Sequence, residues 1–217
     1  MMKRKYFLQL IILFLLLVLP FGNLQAALTT GQAEQWAQAK GQEILSILAE
    51  PTDEGKYAAL DKILAEDVDL DYASKFVVGK YWRTMTPAQQ AKYVPLFKRY
   101  AAALYKNYPL SIPTGAVNFH INKTVAEKNA VNVYGTIFLD MVAENAENHD
   151  GFNVLFKLVE NNGRTQVRDL KVEESSLLIS FRDRFYKMIH QDNDDEIEWF
   201  LEDLETLVID AENQRNR

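Results

Sequence analysis

The sequence of 217 residues contains no cysteine, which excludes disulfide scaffolds, zinc ribbons, thiol nucleophiles and an N-terminal lipid anchor carried by cysteine. Glycine and proline are also scarce, with nine and six residues. Collagen-like chains are rich in both residues, and long disordered chains are poor in hydrophobic residues, which make up 48% of this sequence, so both classes are excluded. The fold must therefore depend on a hydrophobic core, and the length predicts one domain, or two at most.

Sequence motifs of common catalytic chemistry are absent as well. No GxSxG, HExxH, Walker loop or Rossmann glycine fingerprint occurs. The three histidines, His120, His149 and His190, are predicted on separate elements, and none lies at metal-ligand spacing from another. We therefore predict no catalytic residue, no metal site and no cofactor. A dispersed pair of carboxylates has no local signature, so an enzyme that uses such a pair stays an alternative.

The N-terminus is basic and then apolar. Three basic residues at positions 3–5 precede the almost entirely apolar run 6–19. A membrane-spanning helix needs about 20 apolar residues, and this run is shorter. The pattern therefore predicts a secretory signal peptide, residues 1–26, cleaved before Ala27, with an uncleaved anchor as the alternative. A single domain then occupies residues 27–217.

Few positive charges remain once the signal peptide is removed. It takes three basic residues and no acidic ones with it, which leaves 21 basic and 30 acidic residues and a net charge of −9. Nucleic-acid-binding domains are strongly basic, and anionic lipid surfaces attract basic segments, so neither is an expected partner. No second apolar segment approaches spanning length. We therefore predict an exported protein of the periplasm without stable membrane insertion.

Apolar residues at helical spacing predict helices in the first half and at the C-terminal end of the chain. The predicted ranges are 30–49, 56–65, 72–83, 86–108, 176–190 and 194–210. Thr86, Pro87 and Gln89 form the clearest helix start, with a capping box. Asp71 is predicted to cap the third helix.

The apolar period changes to two in the middle of the sequence, which indicates β-strands. Four strands are predicted, beginning near Val117, Val131, Val154 and Leu170. Gly135 predicts a bulge or bend, and residues 161–163 (Asn-Asn-Gly) predict a hairpin turn. The sequence therefore predicts an α+β fold: a curved antiparallel four-stranded meander, covered on one face by helices from both ends of the chain.

Charges of one sign are grouped along the chain. Residues 72–108 hold seven lysines and arginines and no acidic residue, whereas ten acidic residues fall between Asp192 and Glu212. Three basic residues spaced seven apart form one stripe of a predicted helix: Lys92, Arg99 and Lys106. Such a stripe is typical of a solvated face. Because it adjoins an apolar face, it also suits a phosphate or an acidic partner.

Two blocks of the sequence resemble segments of the MlaC family, also called toluene-tolerance proteins. The first comprises residues 78–83 (VGKYWR) and 86–90 (TPAQQ). The second comprises residues 169–173 (DLKVE) and 181–185 (FRDRF). With the signal peptide and the order of helices and strands, the resemblance covers about residues 30–205.

The resemblance implies a periplasmic phospholipid carrier that has no catalytic activity. Members of the family hold acyl chains in an apolar pocket between helices and sheet. They pass lipid between an outer-membrane lipoprotein–porin complex and an inner-membrane ABC transporter with an MCE-domain ring. Phospholipid and both complexes are therefore the expected partners. Two alternatives stay open: a small cone-shaped α+β enzyme and a ligand-free structural protein of the envelope.

Candidate lipid-binding residues follow from the implied function and from the predicted inward faces. Eight side chains are expected to converge around an apolar cavity of several hundred Å³: Tyr100, Leu104, Val133, Ile137, Phe156, Leu170, Leu178 and Phe181. The basic stripe defined above is expected to dock an acidic partner surface, which we favour, or to contact the lipid headgroup. Its distance from the cavity distinguishes the two roles.

Overall fold

The computed structural model of the protein describes residues 27–106, 117–139 and 151–214. The predicted signal peptide, residues 1–26, lies outside this part of the chain, as does His149. Across the described residues, no helix combines the length and the apolar composition needed to cross a membrane.

The N-terminal part of the described chain is helical. Its helices are α1 (Thr30–Leu48), α2 (Asp53–Asp67), α3 (Leu70–Val78), a 3-10 turn (Gly79–Arg83) and α4 (Pro87–Lys106). Side chains that accept hydrogen bonds from free backbone N–H groups fix several helix starts. Thr29 and Gln32 form a capping box at α1, and Thr86 and Gln89 form the predicted one at α4.

The prediction that Asp71 caps the third helix is wrong. Asp69 is the N-cap residue, and its carboxylate accepts a hydrogen bond from the backbone N–H of Tyr72. Asp71 lies in the first turn of α3 and forms an ion pair with Lys98, with 2.8 Å between Nζ and Oδ1. Because aspartates occur at positions 67, 69 and 71, the sequence pattern alone does not show which of them is the N-cap residue.

The central sheet is an antiparallel meander with the order β1-β2-β3-β4-β5. Its strands are β1 (Val117–Glu127), β2 (Ala130–Leu139), β3 (Gly151–Asn161), β4 (Arg164–Val172) and β5 (Ser175–Ser176). It is an open, uncurled sheet of five strands, which corrects the prediction of a curved sheet of four. A strand of two residues is too short to show a period of two, so β5 leaves no signal in the sequence.

Turns and irregularities of the sheet follow partly from the sequence. Asn162 and Gly163 both have positive φ, at 52° and 79°, and join β3 to β4 as the predicted hairpin turn. Gly135 itself continues in register opposite Val154, so of the two predicted irregularities, a bulge or a bend, the bulge is excluded in β2. The register shift lies in the neighbouring strand β1, between Ile121 and Lys123, which face Gly135 and the residue before it.

The larger hydrophobic core lies among helices α3 to α6, where α5 comprises Leu177–Lys187 and α6 comprises Ile197–Gln214, with a π turn between them. Phe185 is fully buried at the centre of this helical core. Its ring centroid lies between 5.7 and 6.4 Å from those of four other rings. These rings belong to Tyr93, Phe97, Tyr100 and Phe200. Aromatic packing at these distances stabilises a core beyond the area it buries.

A smaller sheet core lies between α1 and the sheet. Ala33 and Ala37 of α1 pack on Val131, Val133 and Leu158. Among the described residues, the two cores have no buried residue in common. The chain thus forms a helical core and a separate helix-on-sheet layer.

The two cores meet where α3 begins beside β4. The backbone N–H of Asp69 donates a 2.9 Å hydrogen bond to the carbonyl oxygen of Val167. The guanidinium of Arg168 lies 2.8 Å from the buried Asp69 carboxylate. Ser176, at the start of α5, donates a 2.7 Å hydrogen bond to Asp169 of the same strand. Strand β4 is therefore the element through which the sheet is attached to the helical core.

Candidate functional site

An apolar cavity of about 300 Å³ lies between α1, α2 and the sheet. Most of its lining consists of aliphatic and aromatic side chains. They are Trp36, Ala37, Gly41, Ile44, Leu45 and Leu48 of α1, Ile63 and Val68 from α2 and its end, and Phe119, Ile137, Phe152, Phe156 and Val167 of the sheet. A concave, mostly apolar lining is typical of a site for an apolar ligand.

Helix spacing and strand register explain which side chains share each wall of the cavity. Positions 37, 41, 44, 45 and 48 are spaced by three and four residues, so they share one face of α1. On the sheet, Ile137 lies between Phe119 on one side and Phe152 on the other in the strand register. Directly opposed residues of antiparallel strands point to the same face. The apolar face of one helix therefore lies over the apolar face of three strands.

The ring of Phe119 is held between two glycines. A Cβ atom on Gly41 of α1 would lie 2.6 Å from Cδ1 of Phe119, and a Cβ on Gly135 would also collide with this ring. Phe119 then packs edge-on against Phe156, with 5.9 Å between the ring centroids. The two glycines are therefore needed for the close approach of the ring, and they fix one wall of the cavity.

A single ion pair interrupts the apolar lining. Lys40 Nζ lies 2.7 Å from Asp67 Oδ2 and 2.7 Å from Glu43 Oε2. Partial burial acts to lower the pKa of Lys40, but the hydrogen bonds it donates to Asp67 and Glu43 prevail, so its pKa lies above the ordinary lysine value. The ammonium also lies 5.9 Å from the ring centroid of Trp36. Because the Lys40 and Asp67 side chains are 24% and 15% exposed, this polar end of the cavity reaches solvent.

A larger depression, of about 560 Å³, lies between α2, α4 and the β3–β4 hairpin. Its lining is mixed and charged, with Asp61, Asp69 and Arg164, and it contains the Lys98–Asp71 ion pair. The hydrogen bond from Lys98 holds the pKa of Asp71 below its ordinary value. Burial of charged groups against acyl chains is costly, so the smaller apolar cavity is the better candidate for an apolar ligand.

The structure does not bring the eight predicted lipid-binding residues together around one cavity. Ile137 and Phe156 line the apolar cavity, and Val133 is fully buried beside them in the sheet core. Leu170 lies opposite Phe156 in the strand register and is half-buried. The other four, Tyr100, Leu104, Leu178 and Phe181, pack in or against the helical core.

The sequence did not lead us to predict that side chains of α1 and α2 line the cavity. Spacing of the apolar residues on α1 could have indicated it, since Ile44, Leu45 and Leu48 share a face with two small residues, Ala37 and Gly41. Small residues make room for a cavity without adding hydrophobic signal. Nothing local in the sequence says that this face of α1 meets the sheet.

The basic stripe lies beside the acidic helix α6. Lys92 Nζ is 3.2 Å from Glu205 Oε2, and Arg99 forms two hydrogen bonds, of 2.8 and 3.0 Å, with Glu212. The Glu212 hydrogen bonds raise the pKa of Arg99. The side chain of Lys106 lies outside the described part of the structure. Because Lys92 and Arg99 face carboxylates of the same chain, an acidic partner would have to compete with α6 for them.

We expect the Arg99→Glu substitution to lower the free energy of unfolding by about 1 kcal/mol, because it places two carboxylates together at a pair that is roughly half exposed. The charge swap, Arg99→Glu with Glu212→Arg, should restore most of the loss in a denaturant titration at low salt. Neither protein should carry less bound ligand than wild type. A swap that remains as unstable as the single variant would show that the pair does not stabilise the fold.

Comparison with known proteins shows the family to which the chain belongs. The sequence model of the family described as MlaC protein matches residues 38–206, most of the chain. The chain belongs to the MlaC family. No curated protein matches its sequence.

A solved structure supports the fold of this MlaC-family chain. It is the phospholipid-binding protein from Ralstonia solanacearum, determined in complex with a phospholipid. The two chains share 14% sequence identity with a TM-score of 0.63, and the match covers 81% of this chain and 96% of that one. At this identity the similarity shows a common fold.

Within residues 27–106, 117–139 and 151–214, no group of three or more histidine or carboxylate side chains could hold a metal ion. His190 has Asp195 as its ring partner, at 3.0 Å, and Asp195 also accepts a hydrogen bond from the Tyr81 hydroxyl. These two hydrogen bonds lower the pKa of Asp195, with Tyr81 the larger contributor.

Proposed function

We propose that this protein is a periplasmic phospholipid carrier without catalytic activity, which holds acyl chains in the cavity between α1, α2 and the sheet. The observation that carries the proposal is this apolar cavity in a chain of the MlaC family. The phospholipid bound to the structurally similar Ralstonia protein supports it. Exposure of about 30 acyl methylenes to water costs on the order of 24 kcal/mol, so a dry cavity is what such cargo requires.

The carrier's route is part of the same proposal. A phospholipid taken from an outer-membrane lipoprotein–porin complex would be delivered to an inner-membrane ABC transporter with an MCE-domain ring, or the reverse. The acidic mature chain supports docking to proteins over adhesion to anionic bilayers. Export through a cleaved signal peptide, residues 1–26, completes the proposal.

A whole phospholipid requires more room than the cavity offers. Sites of about 300 to 1,000 Å³ hold drug-sized ligands, and this cavity has about 300 Å³. We expect α2 to move when lipid enters. In α2, which is described in full, Lys56 is the one buried residue, and the apolar side chains that face the cavity are half-buried.

Native mass spectrometry of the protein purified from cells, with organic extraction of the same sample, tests the carrier proposal. We expect a mass increase equal to one phospholipid per protein, and release of that lipid on extraction. A protein that purifies empty, and that takes up no lipid from vesicles, would contradict the carrier and favour a structural role. Chemical turnover of an added lipid would instead favour an enzyme.

A further inference from the structure

We propose that the ion pair of Lys40 and Asp67 is the headgroup contact of the cavity, and that it selects zwitterionic headgroups, which carry an ammonium beside the phosphate, over anionic ones. The inference rests on the proposed carrier function and concerns the headgroup class. It starts from the position of the pair. Both side chains line an otherwise apolar cavity, and both are partly exposed.

The amphipathic shape of a phospholipid determines where its headgroup lies in the cavity. Acyl chains that fill the apolar part of the cavity leave the phosphate at its polar, solvent-exposed end. Among the described lining residues, Lys40 supplies the positive charge at this end and Asp67 the negative charge. The headgroup of a bound lipid therefore lies against these two side chains.

Charge balance at this end determines which headgroup fits. Lys40 already lies 2.7 Å from both Asp67 and Glu43, so one ammonium faces two carboxylates. A headgroup with phosphate alone brings a further negative charge to this group. A headgroup that carries its own ammonium can give its phosphate to Lys40 and its ammonium to Asp67 or Glu43, so the net charge of the group stays at −1 (two positive and three negative charges), whereas an anionic headgroup lowers it to −2. The face of Trp36, next to Lys40, offers the same ammonium a cation–π contact.

The experiment is a competition between two lipids with identical acyl chains. Protein stripped of lipid is incubated with vesicles that contain equal amounts of phosphatidylethanolamine and phosphatidylglycerol, and the bound lipids are counted by native mass spectrometry. We expect wild-type protein to bind phosphatidylethanolamine in about fivefold excess, the ratio that corresponds to about 1 kcal/mol.

Two substitutions should shift this ratio in opposite directions. Asp67→Asn removes one carboxylate, so the excess should fall towards equal binding. Lys40→Gln removes the ammonium and leaves two carboxylates, so total binding should fall and the excess should rise. Glu43→Gln, at a side chain that is about half exposed, should act like Asp67→Asn but more weakly. Glu127→Gln breaks a comparable 2.7 Å ion pair with Lys157, away from the cavity, and should leave the ratio unchanged.

Opposite shifts distinguish a headgroup contact from an ion pair that only holds α1 to α2. Loss of a purely structural pair would leave the ratio unchanged or change it in the same direction in both variants, and either result would overturn the proposal. Equal binding of both lipids by wild-type protein would overturn it too, while leaving the carrier function intact. Failure to bind either lipid would overturn both.

Discussion

Replacement of Ile44 by glutamate should empty the cavity while the protein stays folded. Ile44 is half-buried, lies on the face of α1 that lines the cavity, and is followed on that face by Leu48. A carboxylate at this position would be placed against acyl methylenes, and burial of an unpaired charge costs several kcal/mol. We expect bound lipid per molecule to fall by roughly tenfold or more, measured by native mass spectrometry of the purified variant.

Ile209→Glu is the matched control for this variant. Ile209 is 46% exposed on α6 and does not line the cavity. Both substitutions introduce the same charge into a helix, and glutamate is a good helix former. The Ile209 variant should keep a full complement of lipid. If the Ile44 variant is folded by circular dichroism and still carries one lipid per molecule, the acyl chains are held elsewhere.

Truncation of Phe185 to alanine should cost about 3–5 kcal/mol of the free energy of unfolding, the largest stability effect that we expect for a single substitution. Phe185 is fully buried and contacts four other aromatic rings of the helical core. Alanine leaves a void that these rings cannot fill without leaving their rotamers. Urea titration of the purified protein measures the loss.

Two further variants serve as controls for this measurement. Phe185→Leu keeps much of the volume and should cost less than the alanine variant. Ile179→Ala, on the exposed side of the same helix, should stay within about 0.5 kcal/mol of wild type. A Phe185→Ala variant that loses no more than the Ile179 variant would show that the ring cluster does not hold the helices together.

Local sequence rules account for most of the elements of this fold. The capping box at Thr86, the hairpin turn at Asn162 and Gly163, and the change of period near Val117 all appear in the structure. Each rests on interactions between residues only a few positions apart. Such interactions are present in any fold that the sequence adopts, which is why the elements and the α+β class could be predicted.

The lining of the cavity could not be predicted in the same way. Tyr100 and Ile137 are both apolar residues on well-formed faces, but one packs in the helical core and the other lines the cavity. Which face meets which depends on contacts between distant segments. The small residues Ala37 and Gly41 are also easily overlooked, since they shape the cavity by leaving space and carry little hydrophobic signal of their own.

The separation of the helical core from the helix-on-sheet layer also distributes local stability within the molecule. Regions with few buried contacts open at a lower free energy than the protein as a whole unfolds. We therefore expect the aromatic rings of α3 to α6 to open last, and α2, which has one fully buried residue, to open earlier. If the proposed carrier takes up and releases lipid beside α2, each exchange requires local opening there and leaves the packing of the helical core undisturbed.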